Sequence, residues 1–268
     1  MILKKFPKKS LGQNFLIDSN VIKKIINIPN SLNNKIVLEI GAGKGNLTSE
    51  ILKRNPKKII AVEKDEHLSI FLKQKFSNEK NVNIINKDIL DILKKKDLDK
   101  DIIIFGNLPY NISTQILASL IMFEKWPPKY NSLILMFQKE VADRILAKKN
   151  SKEFGRLAIL ANWRLDIKKH FDVSYNCFYP KPKIFSTVLS FVPKKKIEHK
   201  IKNPKNLETV TRVLFSNRRK MINKSLFKLF YKNPNLINEL DLNTSCRPEE
   251  LSCETFYKIT KTYEKLTD

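Results

Sequence analysis

The sequence predicts an α/β fold: a Rossmann-like, doubly wound sheet flanked by helices, followed by a small all-helical C-terminal domain. Three observations predict it. Short β-branched runs alternate with apolar residues at helical spacing. Those runs are continuously apolar, so the strands are buried on both faces, as in a parallel sheet. After Pro193 the strand signals stop and only helical patterns remain.

The strands follow in order. Ile36-Val37-Leu38-Glu39-Ile40 is the first and Ile59-Ile60-Ala61-Val62 the second. Val82 to Ile85, Ile102 to Phe105 and Leu133 to Phe137 are the third, fourth and fifth, with two more near Leu165–Lys168 and at Val188–Val192. Between them, Leu68, Phe71, Leu72 and Phe76 share a helix face behind the N-cap Asp65. Ile116, Leu117, Leu120 and Ile121 share another behind Ser113. Lys194-Lys195-Lys196 and Pro204 read as a linker, which divides the chain into domains at 1–195 and 200–268. In the second, helical spacing runs through Leu207, Val210 and Leu214, then Met221 to Phe230, then Phe256, Ile259, Tyr263 and Leu266.

Charge narrows the partner. The 268 residues carry a formal +24, and residues 173–232 hold 15 Lys or Arg against Glu198 and Glu208 alone. Lys4, Lys5, Lys8 and Lys9 add to the N-terminus. Lys outnumbers Arg 43 to 8, a bias that AT-rich codons alone produce, but the clustering favours a polyanion partner. Cys177, Cys246 and Cys253 have no CxxC spacing, and His67, His170 and His199 are far apart, so no metal site is expected and a reducing cytoplasm fits. No apolar run approaches the roughly 18 residues that span a bilayer, and Met1 to Lys9 lacks the apolar core of a signal peptide.

The first strand runs into Gly41-Ala42-Gly43-Lys44-Gly45. Glycines let a backbone turn tightly and approach a ligand. By itself the motif equally suits a plain strand–helix turn. Two carboxylates strengthen it: Glu63, 22 residues after Gly41, suits two ribose hydroxyls, and Asp88 suits the amino group of a cofactor's adenine. The third position of a dinucleotide fingerprint is Asn46, not Gly, so a pyrophosphate is disfavoured.

The fourth strand leads to Asn107-Leu108-Pro109-Tyr110. An exocyclic adenine amine is a poor nucleophile, because its lone pair is delocalised into the ring. The side-chain oxygen of Asn107 and the carbonyl of Leu108 can bind its two hydrogens, drawing the nitrogen toward tetrahedral geometry. Pro109 stiffens the turn, and Tyr110 offers a face for a base taken out of its stack. The alternative is a structural Pro-containing turn. The chemistry read here is methyl transfer from S-adenosylmethionine to adenine N6.

At these residues the chain resembles the KsgA-type rRNA adenine dimethyltransferases, over nearly its whole length. Ser10-Leu11-Gly12-Gln13-Asn14-Phe15-Leu16 resembles a motif that folds over the cofactor, and Glu39 to Gly45 resembles the family's glycine loop, with Ala42 where many members carry Pro. Phe105 to Ser113 matches the catalytic motif; Gln138–Ala142 and Ser151–Leu157 are similar to further family segments. Phe178-Tyr179-Pro180-Lys181-Pro182-Lys183 matches another, in which the Phe sandwiches the target base opposite Tyr110. Asn217-Arg218-Arg219-Lys220 resembles the basic start of a helix in the C-terminal domain.

The resemblance implies the class I methyltransferase sheet and catalysis by Asn107, Leu108, Pro109, Tyr110 and Phe178. It implies cofactor contacts from Gln13, Asn14, Leu16, Gly41, Gly43, Glu63, Asp88 and Asn107, and RNA contacts from Arg218, Arg219 and Lys220. The implied substrate is two adjacent adenosines in a hairpin near the 3′ end of small-subunit rRNA, within a 30S precursor, methylated by a monomer away from any membrane. Read without the resemblance, Gln13–Leu16 is a capping loop leading to Asp18. The competing readings are an Erm-type enzyme acting on large-subunit rRNA, a non-catalytic ribosome-assembly factor, and a DNA adenine methyltransferase. Leu at the tetrad's second position leans away from the first, and intact Asn107, Tyr110, Glu63 and Asp88 lean away from the second. The tetrad's opening Asn, where DNA enzymes more often carry Asp, leans away from the third.

Overall fold

A computed structural model describes residues 12–94 and 101–266. They form two compact units. The first runs to residue 119 and takes up 128–142 and 167–193; the second holds 120–127, 143–166 and the chain from Lys194.

The first unit is built on a seven-stranded sheet, counted among the described residues. Its strands are β2 (Ile36–Ile40), β3 (Lys58–Glu63), β4 (Val82–Asn86), β5 (Ile102–Asn107), β6 (Tyr130–Gln138), β7 (Leu165–Val173) and β9 (Ser186–Pro193). The spatial order is β4-β3-β2-β5-β6-β9-β7. β2 pairs in parallel with β3 and β5, β3 with β4, and β5 with β6. The chain thus winds outward from β2 through β3 to β4, then crosses to β5 on the other side of β2. The topological switch lies between β2 and β5, and the carboxyl ends on either side of such a switch form a crevice.

Each strand expected from the sequence is present. One feature differs from a fully parallel sheet: β9 runs antiparallel to β6, pairing Leu135 with Leu189 and Met136 with Val188. An apolar run buried on both faces carries no sign of strand direction, so the sequence did not distinguish the two. β1 (Phe15–Leu16) pairs antiparallel with β8 (Phe178–Tyr179), joining segments about 160 residues apart.

The helices follow their caps. α1 (Ser19–Ile26) begins where the Asp18 carboxylate accepts from the N–H groups of Asn20 and Val21. α3 (Glu66–Lys75) begins at Asp65, which accepts from His67 and Leu68 as its sequence position predicted. α2 (Asn46–Leu52) and α4 (Ile89–Lys94) follow β2 and β4, and α5 (Ser113–Ile121) follows β5. Ile22, Ile25, Ile26, Val37, Ile51, Ile59 and Phe105 belong to one buried core. α6 (Lys139–Leu146) begins directly after β6.

The second unit contains α7 (Arg156–Arg164), α8 (Pro204–Phe215), α9 (Asn223–Leu229) and α10 (Cys253–Glu264). Phe215 stacks on Phe256 at 5.5 Å, and the Tyr257 hydroxyl donates to Ile159 O at 2.9 Å. Arg164 is clamped between the rings of Trp126 and Trp163 and donates to the carbonyls of Ile121 (2.8 Å) and Phe123 (2.5 Å). No helix among the described residues is long and apolar enough to cross a membrane.

Candidate active site

The site forms where strand ends on both sides of the switch leave loops facing one cleft. β2 ends in the glycine loop and β5 in Asn107-Leu108-Pro109-Tyr110. The cleft is open to solvent and lined by residues from both sides of the switch. Gln13, Asn14, Gly41, Gly43, Glu63, Asp88, Asn107, Leu108, Pro109 and Tyr110 all line it, so ten residues singled out in the sequence come together.

Glycine at Gly43 lets the loop take this path without displacing Phe15. Its φ is +58°, and a Cβ there would lie 2.9 Å from the Phe15 ring. The Gly43 N–H donates to Glu63 Oε2 at 2.8 Å, while Glu63 Oε1 accepts from Asp65 N–H at 2.8 Å. Burial pushes the Glu63 carboxyl up, and these two N–H groups oppose the push. Beneath the loop, fully buried Glu39 accepts from Thr48 Oγ1 at 2.6 Å, and burial raises its carboxyl to about 8. Asp88, at the end of β4, accepts from Leu90 N–H at 2.9 Å and pairs with Lys64 Nζ at 2.8 Å. Burial would raise its carboxyl, but Lys64 and the Leu90 N–H outweigh burial and hold it below the usual range.

Asn107 ends β5 with its side-chain nitrogen donating to Asn14 O at 2.8 Å. That leaves Oδ1 as the free acceptor of the amide. The turn after it is held by Ile112 N–H to Pro109 O (3.1 Å) and Ser113 Oγ to Tyr110 O (3.2 Å). The Tyr110 hydroxyl meets Ser186 Oγ on β9 at 2.7 Å, and burial raises its pKa.

Leu16 and Phe178 do not line the cleft. Leu16 lies behind the glycine loop, lining a neighbouring cavity with Gly43 and Asn107. Phe178, opposite Leu16 across the β1–β8 pair, is 3% exposed and packs in the core. In the same pair Tyr179 is exposed. Arg218, Arg219 and Lys220 belong to the second unit. They occupy a turn between α8 and α9 rather than the start of a helix, because α9 begins only at Asn223. Arg218 is committed internally: Nε donates to Glu249 at 2.8 Å, and Nη2 to the carbonyls of Ser151 and Lys152. Ser10 and Leu11 of the N-terminal motif, and the lysines before them, lie outside the described residues.

Several site groups carried no sequence signal. The Asn14 carbonyl acts through its backbone, Ser186 is a lone hydroxyl in an apolar strand, and Thr48 sits inside α2. Phe15 stood inside the N-terminal motif but was not singled out, and it lines the cleft.

A Rossmann-like sheet whose strand ends bring a glycine loop, Glu63, Asp88, Asn107 and Leu108 around one cleft has the architecture of a methyltransferase. A family model for ribosomal RNA adenine dimethylases matches residues 5–265, and this chain belongs to that family. It is 48% identical over 259 residues to the Ribosomal RNA small subunit methyltransferase A of Pelagibacter ubique, with 97% of each chain covered. It is 40% identical to the protein of that name from a Wolbachia of Drosophila simulans, covering 98% of this chain and 97% of the other. A dimethyladenosine transferase from Plasmodium falciparum superposes with a TM-score of 0.79 at 27% identity, covering 94% of this chain and 98% of the other. The 23S rRNA methyltransferase ErmE shares the fold, with a TM-score of 0.67 at 20% identity over 93% of this chain and 99% of the other.

Proposed function

We propose that this protein uses S-adenosylmethionine to dimethylate N6 of two adjacent adenosines in a hairpin near the 3′ end of small-subunit rRNA. The observation that carries the reading is the hydrogen bond from Asn107 to Asn14 O, which turns Oδ1 into a fixed acceptor.

The residues present fit the cofactor. Glu63 offers a carboxylate to ribose hydroxyls and Asp88 one to an adenine amino group, while Ile40, Val62 and Ile89 supply apolar walls for a purine. When bound, the cofactor supplies a methyl on a positively charged sulfur. In the first transfer Asn107 Oδ1 and Leu108 O accept the two hydrogens of the target amine and aim its lone pair; in the second, one of them accepts the single hydrogen that remains. Tyr110 gives the flipped base a stacking face. Positive charge on the nitrogen rises during transfer and the proton leaves afterwards, so no strong base is required. Catalysis rests on positioning and preorganised acceptors.

In this reading residues 1–195 carry out methyl transfer and 200–268 grip RNA. The basic C-terminal half supports binding to nucleic acid; the reading takes that partner to be small-subunit rRNA within a 30S precursor and includes a second role in small-subunit assembly. The protein acts as a cytoplasmic monomer. The small-subunit assignment over the Erm-type alternative is supported by the names of the relatives at 48% and 40% identity. Mass spectrometry and primer extension on rRNA from cells with and without the gene test it. Loss of dimethyladenosine from small-subunit rRNA is expected; stops in large-subunit rRNA that depend on the gene would overturn it.

A further inference from the structure

α9 buries Leu226, Leu229 and Phe230 on one side, and Phe230 meets the Tyr263 ring edge-on at 6.3 Å. The other side is expected to be polar, since an exposed apolar residue on a short helix gains nothing from burial. Instead Phe227 is 59% exposed; Tyr231, just past the helix's end, is 70% exposed, and Met221, just before its start, is 54% exposed.

The surroundings are basic. Residues 209–238 hold seven Lys or Arg and no acid. Lys224, Lys228 and Lys232 are exposed and alternate with the two rings along the chain. None of these lysines has an ion pair among the described residues. A second copy of the chain would bring equal positive charge to the same face, which disfavours it as occupant. A segment free of acids from 209 to 238, with exposed rings between its cations, matches RNA, where phosphates meet lysines and unpaired bases stack on aromatic faces.

We propose that Phe227 and Tyr231 form a stacking platform for unpaired bases of the rRNA, flanked by Lys224, Lys228 and Lys232 on the phosphates. The inference rests on the RNA reading above and extends it from charge to base contact.

The test uses the full chain and deproteinised small-subunit rRNA lacking the modification. Binding is measured by filter retention across a salt series, and self-association by sedimentation. Phe227→Ala with Tyr231→Ala is expected to weaken binding about tenfold or more with the salt slope unchanged. Phe227→Tyr is expected to keep wild-type affinity, because a ring remains. Lys224→Gln, Lys228→Gln and Lys232→Gln together are expected to flatten the salt slope. Wild-type RNA affinity in the double alanine variant overturns the platform, and so does a wild-type dimer that this variant dissociates. A wild-type protein that binds no rRNA would instead overturn the functional reading itself.

Discussion

The side-chain amide of Asn107 donates to the backbone carbonyl of Asn14 at 2.8 Å, across 93 residues of sequence. The contact decides which end of the amide faces the target amine. Asn107→Ala removes the fixed acceptor and is expected to lower methyl transfer about 10²- to 10³-fold, the scale of losing one preorganised polar contact. Single-turnover transfer to rRNA measures it. Asn107→Asp keeps an acceptor but sets an anion against the Asn14 carbonyl, so it is expected to be impaired as well.

Glu63 holds two backbone N–H groups, those of Gly43 and Asp65. Glu63→Ala leaves both without that acceptor, at about 1–3 kcal/mol each. Glu63→Gln keeps one acceptor oxygen. The expected order of cofactor affinity, read by calorimetry, is wild type, Gln, Ala. The same order is expected in thermal unfolding, because these bonds belong to the loop even without cofactor.

Tyr110 touches Ser186 through its hydroxyl, so its ring is held from the far side of the site. Tyr110→Phe keeps the stacking face and is expected to change turnover less than tenfold, at a stability cost of about 1 kcal/mol from the Ser186 hydroxyl losing its partner. Tyr110→Ala removes the face and is expected to cost far more turnover. Equal turnover for the two variants would mean that the ring does not stack on the base.

Glu39 gives the fold a pH dependence with a definite sign. Its folded-state pKa, about 8, lies above the ordinary 4.5. Between these values the folded chain holds a proton that the unfolded chain has released, so this group's contribution to stability falls as pH rises through the window. Glu39→Gln mimics the protonated form and keeps an oxygen for Thr48. The melting temperature of the variant relative to wild type is therefore expected to rise from pH 5.5 to pH 8.5. A constant difference would mean that Glu39 is ionised throughout.

Much of the sheet was legible because buried strands must be apolar and β-branched, and helix starts need side-chain acceptors such as Asp65. The strand-end residues Gly41, Glu63, Asp88 and Asn107 were legible for a related reason: loops at the carboxyl ends of neighbouring strands converge. What escaped depends on tertiary pairing. The antiparallel β9, the β1–β8 pair and the Ser186–Tyr110 contact join distant segments, and no local periodicity encodes them. The basic run at Arg218 looked uniform as sequence, yet its members differ in what they touch.

That difference separates two effects which charge alone would merge. Arg218 ties Glu249 and the carbonyls of Ser151 and Lys152 within the second unit, whereas Arg219 and Lys220 are exposed. Arg218→Ala is expected to lower the melting temperature, because it leaves two carbonyls and a carboxylate without that donor. An exposed ion pair alone would contribute little, so most of the effect comes from the carbonyls. Arg219→Ala with Lys220→Ala is expected to leave melting unchanged and to reduce the salt slope of rRNA binding by about 1.4–1.8, two phosphate contacts' worth. Melting curves and salt titrations on both variants read the two outcomes separately. An unchanged slope in the Arg219/Lys220 pair would remove this turn from the RNA interface, and unchanged melting in Arg218→Ala would make its contacts incidental.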